Sequence, residues 1–113
     1  MNSLEIAETA VEALKEKKAQ DIKVLDLRKI TTFCDFFVIA TGTSDIHVKS
    51  LADYVEEKLD EKGVKLDHRE GYRSGRWILL DYKDVVIHIF YKEERNFYNL
   101  ERLWIDAEEI SIE

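Results

Sequence analysis

The chain has 113 residues, 45% of them hydrophobic and 36% charged, a balance that fits one globular domain spanning residues 1–113. Its net charge is −7, from 17 basic and 24 acidic residues, which argues against extensive direct nucleic-acid binding, because that needs a basic face. The longest apolar runs are far shorter than the ~20 residues that span a bilayer, so no membrane association is expected.

Residues 3–19 are predicted to form a helix. Ser3 is its expected N-cap, and Leu4, Ala7, Val11 and Leu14 recur at helical spacing. Glu5 and Glu8 near the start, and Lys15, Lys17 and Lys18 at the end, suit the helix dipole. Residues 21–27 read as a strand, and 28–35 as a polar connection. The run 36–40 is apolar at every position, as in a central strand covered on both faces. A second helix over 45–62 carries the stripe Val48, Leu51, Ala52, Val55 and Leu59, and Gly63 stops it. Three shorter strands follow at 64–70, 75–81 and 85–91. The segment Asp81-Tyr82-Lys83-Asp84 is short enough for a tight hairpin, although it holds no glycine. A last helix is expected at 94–104, with Phe97, Leu100 and Trp104 on one side, and the acidic tail 105–113 receives no element. The fold class is therefore α/β (α+β): a mixed sheet of about five strands with three helices, one sheet face being incompletely covered.

The turn Thr41-Gly42-Thr43-Ser44, between an apolar strand and a helix, has the outline of a phosphate cradle. Gly42 permits unusual backbone conformations, and Ser44 can cap the helix. His47 stands in the first helical turn, where a polar recognition role and a plain solvent-facing role both fit. However, the pattern is neither Gly-x-Gly-x-x-Gly nor Gly-Lys-Ser/Thr. Nucleotidyl transfer would also need paired carboxylates for metal ions, and no strand contains Asp-x-Asp or Asp-x-Glu. A nucleotide-binding or transferase enzyme using 41–44 stays the alternative reading, with Asp35 or Asp53 recruited to metal. Otherwise no catalytic residue, metal site or cofactor is expected. A nucleophilic Cys34 would need a nearby base such as His47. As the lone cysteine it forms no internal disulfide, and with no secretory pattern in Met1-Asn2-Ser3-Leu4-Glu5 it points to a cytoplasmic protein.

Strand alternation gives a second candidate surface. In 85–91, Val86, His88 and Phe90 share one face. In the preceding strand, Trp77, Leu79 and Asp81 share a face. With only three helices available, an open face would expose Trp77 or Phe90, and an exposed tryptophan is a common binding anchor. Arg95 and Tyr98, on the last helix, are candidates for the rim. An acidic chain also suits a basic protein partner, because opposite fields speed encounter, and it equally suits plain solubility.

Three blocks carry a family resemblance. The first is Asp35-Phe-Phe-Val-Ile-Ala-Thr-Gly-Thr-Ser44, then His47 and Ala52-Asp53. The second is Glu70-Gly71, with Gly75-x-Trp77 and Asp81-x-x-Asp84-Val-Val-x-His88-x-Phe90. The third is Arg95-x-Phe-Tyr98-x-Leu100-Glu101-x-Leu-Trp104-x-Asp106-Ala107. Together they resemble the ribosomal silencing factor family, also called the iojap-like proteins. One departure is Lys83, where the family usually has glycine. The resemblance implies a nucleotidyltransferase-like fold without catalytic carboxylates and a protein that is not an enzyme. It implies binding to the large ribosomal subunit through ribosomal protein L-fourteen (the fourteenth protein of that subunit). That binding would block association with the small subunit and repress translation, notably under nutrient limitation. A homodimer is also implied as possible. The partner-binding residues would be Trp77, Asp81, His88, Phe90, Arg95 and Tyr98.

Overall fold

In the computed structural model, residues 1–97 and 107–110 are described. The chain begins with helix α1, Ser3–Glu16, and its cap is Asn2 rather than Ser3. Asn2 Oδ1 accepts from the Glu5 N–H at 2.8 Å, and Glu5 Oε1 accepts from the Asn2 N–H at 3.0 Å. This reciprocal box satisfies two amides that the first turn leaves open. Ser3 is thereby released to donate its Oγ–H to Asp35 Oδ2 at 2.7 Å, which ties the start of α1 to the sheet. The helix ends three residues earlier than its charge pattern suggests, because Lys18 turns left-handed at φ 62.

Strand β1, Gln20–Asp26, pairs antiparallel with β2, Phe36–Gly42. Helix α2, Asp45–Glu61, follows β2 directly. Then come β3, His68–Glu70, β4, Trp77–Asp81, β5, Val85–Tyr91, and a short helix α3, Lys92–Phe97. A last strand, β6, Glu108–Ile110, lies in the tail and pairs with β1. The sheet therefore has six strands, in the order β3-β4-β5-β2-β1-β6, rather than about five. The extra strand was hidden because its three residues, Glu-Glu-Ile, carry almost no apolar signal of their own. Residues 64–67, expected as strand, are outside β3. The expected helix beyond residue 97, with Leu100 and Trp104, lies outside the described residues.

β2 and β5 lie side by side in parallel at the centre, and the other pairs are antiparallel. Parallel neighbours need a crossover, and α2 supplies its helical part. Both α1 and α2 pack on one sheet face, burying Val24, Phe36, Val38, Ala40, Ile78, Leu80, Ile87 and Ile89 with Leu14, Val48, Leu51 and Leu59. The other face has a smaller core of Leu25, Leu27, Cys34, Ile39 and Phe90, with Phe37, Trp77 and Val86 around it. The 28–35 connection contributes Cys34 to this second core. Among the described residues, no helix is long and apolar enough to cross a membrane.

The β4–β5 hairpin turns without glycine because Lys83 takes φ 70, and Asp81 Oδ1 accepts the Lys83 N–H at 2.7 Å. An aspartate bonding its neighbour's amide lowers the cost of that left-handed residue. A glycine is indispensable instead at Gly71, before β4. It has φ 79, and a Cβ there would sit 1.9 Å from the Trp77 carbonyl oxygen. Gly71→Ala should therefore destabilise the protein by about 2–5 kcal/mol, combining left-handed strain with overpacking. Urea unfolding of the variant measures this, and a loss below about 0.5 kcal/mol, the size of an ordinary surface change, would contradict the close packing.

Candidate functional site

The turn after β2 is built for packing. Gly42 is outside the left-handed region, so its role is not conformational freedom. A Cβ at Gly42 would meet Val48 Cγ2 at 2.7 Å, which identifies a close approach of α2 to the end of β2. Four amides around the turn have partners within the protein. The Thr43 N–H goes to His47 Nδ1 at 3.0 Å, the Ile46 N–H to Asp45 Oδ1 at 2.9 Å, and the His47 N–H to Ser44 Oγ at 3.0 Å. The Val48 N–H is bonded to the Ser44 carbonyl at 2.9 Å. Thr41 is buried.

His47 is a brace between helices. Because Nδ1 accepts from Thr43, the proton is on Nε2, which donates to the Lys17 carbonyl at 2.8 Å. One side chain thus caps the end of α1 and fixes the turn that opens α2. The carboxylates available to a metal-dependent loop are also engaged. Asp35 accepts from Ser3, and Asp53 accepts from the Tyr72 hydroxyl at 2.9 Å.

The second sheet face carries the other candidates. In the β4–β5 register Trp77 faces Phe90, Leu79 faces His88, and Asp81 faces Val86. Alternation brings all six side chains to the face without α1 and α2. Trp77 is partly exposed and stacks on Phe90, with ring centroids 4.9 Å apart. Phe90 is itself only 1% exposed, which corrects the expectation that it could be the exposed anchor. It supports Trp77 from beneath. His88 is 4% exposed and lies edge-on to Phe37 at 4.6 Å. Trp77 Nε1–H donates to His88 Nδ1 at 3.1 Å. That bond leaves the ring proton on Nε2, and Nε2 finds no hydrogen-bond partner among the described residues.

His88 lines a cavity of about 520 Å³, within the range of ligand and side-chain pockets, and Trp77 reaches it through the bond to His88. Phe33, Phe37, Leu79 and Val86 give it an apolar lining, and Asp81, Asp84, Lys83 and His68 lie at its polar side. Phe33 is 90% exposed. Cys34 also lines the cavity, but burial first, and then Asp35, Asp81 and Asp84, push its thiol up to about 11. A thiol so protonated at neutral pH is not an activated nucleophile. His47 does not serve as its base, being bonded at both ring nitrogens elsewhere.

One cluster escapes a reading by sequence spacing. The β3–β4 register sets His68 opposite Asp81, and Asp67 lies next to it. His68 Nδ1 is 3.3 Å from Asp67 Oδ2 and 3.4 Å from Asp81 Oδ2. Among the described residues, these three form the one group whose ligand atoms are close enough to hold a metal ion, although the histidines show no metal-site spacing in the chain. Lys83 Nζ stands 4.0 Å from Asp67 and supplies a competing positive charge. Of the remaining candidates, Arg95 lies in α3, and Tyr98 lies outside the described residues.

The family described as "Ribosomal silencing factor during starvation" matches residues 1–113. The chain belongs to this family. It is 39% identical over 113 residues to the "Ribosomal silencing factor RsfS" of Halalkalibacterium halodurans, covering 100% of this chain and 97% of that one. It is 42% identical over 107 residues to the protein of the same name from Bacillus subtilis, covering 95% and 91% of the two chains. A crystal structure of a Chromobacterium violaceum protein superposes with a TM-score of 0.90 at 40% identity, over 99% of this chain and 92% of that one. The two sequence relatives are named as silencing factors, and the matched lengths extend the family resemblance over nearly the whole chain.

Burial alone holds the His88 imidazole down to about 4, from an ordinary 6.5. The folded state therefore resists a proton that the unfolded chain accepts below 6.5. The contribution of His88 to stability should be flat above that pH and fall by about 3 kcal/mol as pH drops toward 4. Exposed His68 has the opposite sign, its value being raised first by its hydrogen bond to Asp67, with Asp81 and Glu70 adding to it; its contribution is present at low pH and lost as pH rises. Urea unfolding from pH 4 to 7 on the parent and on His88→Phe separates the two. The decline should disappear in the variant.

Proposed function

We propose that the protein represses translation by occupying the large ribosomal subunit and sterically blocking its association with the small subunit. Membership in the silencing-factor family makes it a ribosome-associated regulator of translation. The contact is assigned to ribosomal protein L-fourteen, and the working compartment to the cytoplasm. The observation that carries the reading is the partly exposed Trp77, stacked on buried Phe90 and hydrogen-bonded to His88 on the sheet face opposite α1 and α2. A rigid aromatic beside an apolar cavity is the usual centre of a protein interface. Asp81 and Asp84 at the cavity's edge, and the net charge of −7, favour a basic polypeptide over an RNA strand. Arg95 and Tyr98 are assigned to the rim of the same surface.

The transferase alternative gains no support from the turn at 41–44, where the Thr43 amide is bonded to His47, as are the Ile46 and His47 amides that follow to Asp45 and Ser44. The proposed mechanism is occlusion, with no bond made or broken.

Light scattering of subunit joining tests the reading. Saturating protein, added to large subunits first, should slow or abolish joining; unchanged joining would refute the mechanism. Trp77→Ala should weaken co-sedimentation with large subunits by ~2–4 kcal/mol, or roughly 30- to 1000-fold. A folded variant that co-sediments like the parent would move the centre of the surface elsewhere.

A further inference from the structure

A buried polar group without a partner is uncommon in a folded protein, and each instance calls for a reason. His88 Nε2–H is such a group. Its donor character is not accidental, because Trp77 Nε1 is a donor only and forces His88 Nδ1 to accept. Trp77 thereby determines which ring nitrogen keeps the proton. The surroundings restrict what could meet that proton. Asp81 and Asp84 disfavour an incoming carboxylate or phosphate, an effect that Lys83 and His68 at the same rim offset in part, and the lining from Phe33, Phe37, Leu79 and Val86 disfavours a bare charge of either sign. Nε2 is shut off from water, so the acceptor must arrive with a segment that parts the lining. Phe33, on the 28–35 connection and 90% exposed, is the lining residue with space to move.

We propose that the cavity beside Trp77 and His88 receives an uncharged oxygen, a main-chain carbonyl or a side-chain amide or hydroxyl, from a basic segment of the ribosomal protein partner, with His88 Nε2–H as its donor. In this arrangement His88 reads the acceptor, and Trp77 is a positioning residue that selects the reading tautomer. The inference rests on the large-subunit reading above for the identity of the partner. Charge complementarity selects that occupant, since a chain of net charge −7 with two aspartates at the cavity suits a basic polypeptide.

Two measurements on the full chain test it. Nitrogen-15 spectra of the free protein should show His88 with Nδ1 bare and Nε2 protonated, and Trp77→Phe should relax that preference while keeping the stack on Phe90. The opposite tautomer in the free parent overturns the proposal. An Nε2 signal that moves when the protein alone is concentrated assigns the cavity to a second copy and also overturns it. The second measurement is affinity for purified large subunits. His88→Phe should lose about ten- to a hundredfold, the range for stranding a buried acceptor. Adding Trp77→Phe to it should cost less than Trp77→Phe costs in the parent, because the share of the indole's effect that runs through His88 is then already lost. Additive losses overturn the positioning role. If the parent binds and a folded His88→Phe binds equally well, this proposal fails while the subunit reading stands. If the parent does not bind large subunits, the subunit reading fails and takes the assigned occupant with it.

Discussion

The parallel pairing of β2 with β5 is the contact on which the rest of the molecule is hung. It joins two antiparallel halves, β3-β4-β5 and β2-β1-β6, into one sheet. Such neighbours cannot be linked by a tight turn, so the chain leaves β2, runs through α2, and returns by way of β3 and β4. The close approach of Gly42 to Val48 sets how tightly that crossover folds back. The same pairing places Phe37 beside Val86 and Ile39 beside His88. The apolar floor of the second face is therefore assembled from strands far apart in the chain.

The two faces divide the labour. One is filled by α1 and α2 and holds the larger core. Among the described residues the other has a smaller core, to which the connection that carries Cys34 and Phe33 contributes, and a cavity. The second side carries a desolvated imidazole, a left-handed Lys83 and an exposed Phe33. Natural folds tolerate such features mainly where they serve recognition. By contrast, the helix-capping turn at 41–44 has its Thr43 amide and Ser44 hydroxyl bonded within the protein, with His47 bonded through both ring nitrogens. Two regions that look equally suggestive as amino-acid patterns thus differ in the one property that matters for binding, whether their polar groups are already in use.

Much of the architecture was legible from periodicity. The stripe from Val48 to Leu59 and the uninterrupted apolar run after Asp35 identify a helix and a central strand, because long elements repeat their signal. Alternation also sorted Trp77, His88 and Phe90 correctly by face. β6 was not legible, since three residues of Glu-Glu-Ile become a strand only by bonding to β1. The cap of α1 shifted from Ser3 to Asn2 because Asp35, thirty-two positions away, claims the serine hydroxyl. The burial of Phe90 and the tautomer of His88 are likewise products of cross-strand geometry. So is the meeting of His68 with Asp81, which no spacing rule along the chain anticipates. The three blocks of family residues conveyed the fold and the relationship, whereas the states of individual side chains required coordinates.

The outer strands have their own consequence. An open sheet edge is a row of unused amides and carbonyls that invites another strand to add. Here one edge is β3, only three residues long, exposed throughout, and made of His68, Arg69 and Glu70. The opposite edge is β6, equally short, and it carries Glu108 and Glu109. Short, charged margins discourage strand addition at both sides of the sheet. β6 also pairs with Val24–Asp26, the apolar end of β1, which would otherwise be an open template there. Association with other molecules is thereby steered away from indiscriminate edge-to-edge growth and toward side-chain recognition on the faces, which a partner must match in shape and chemistry.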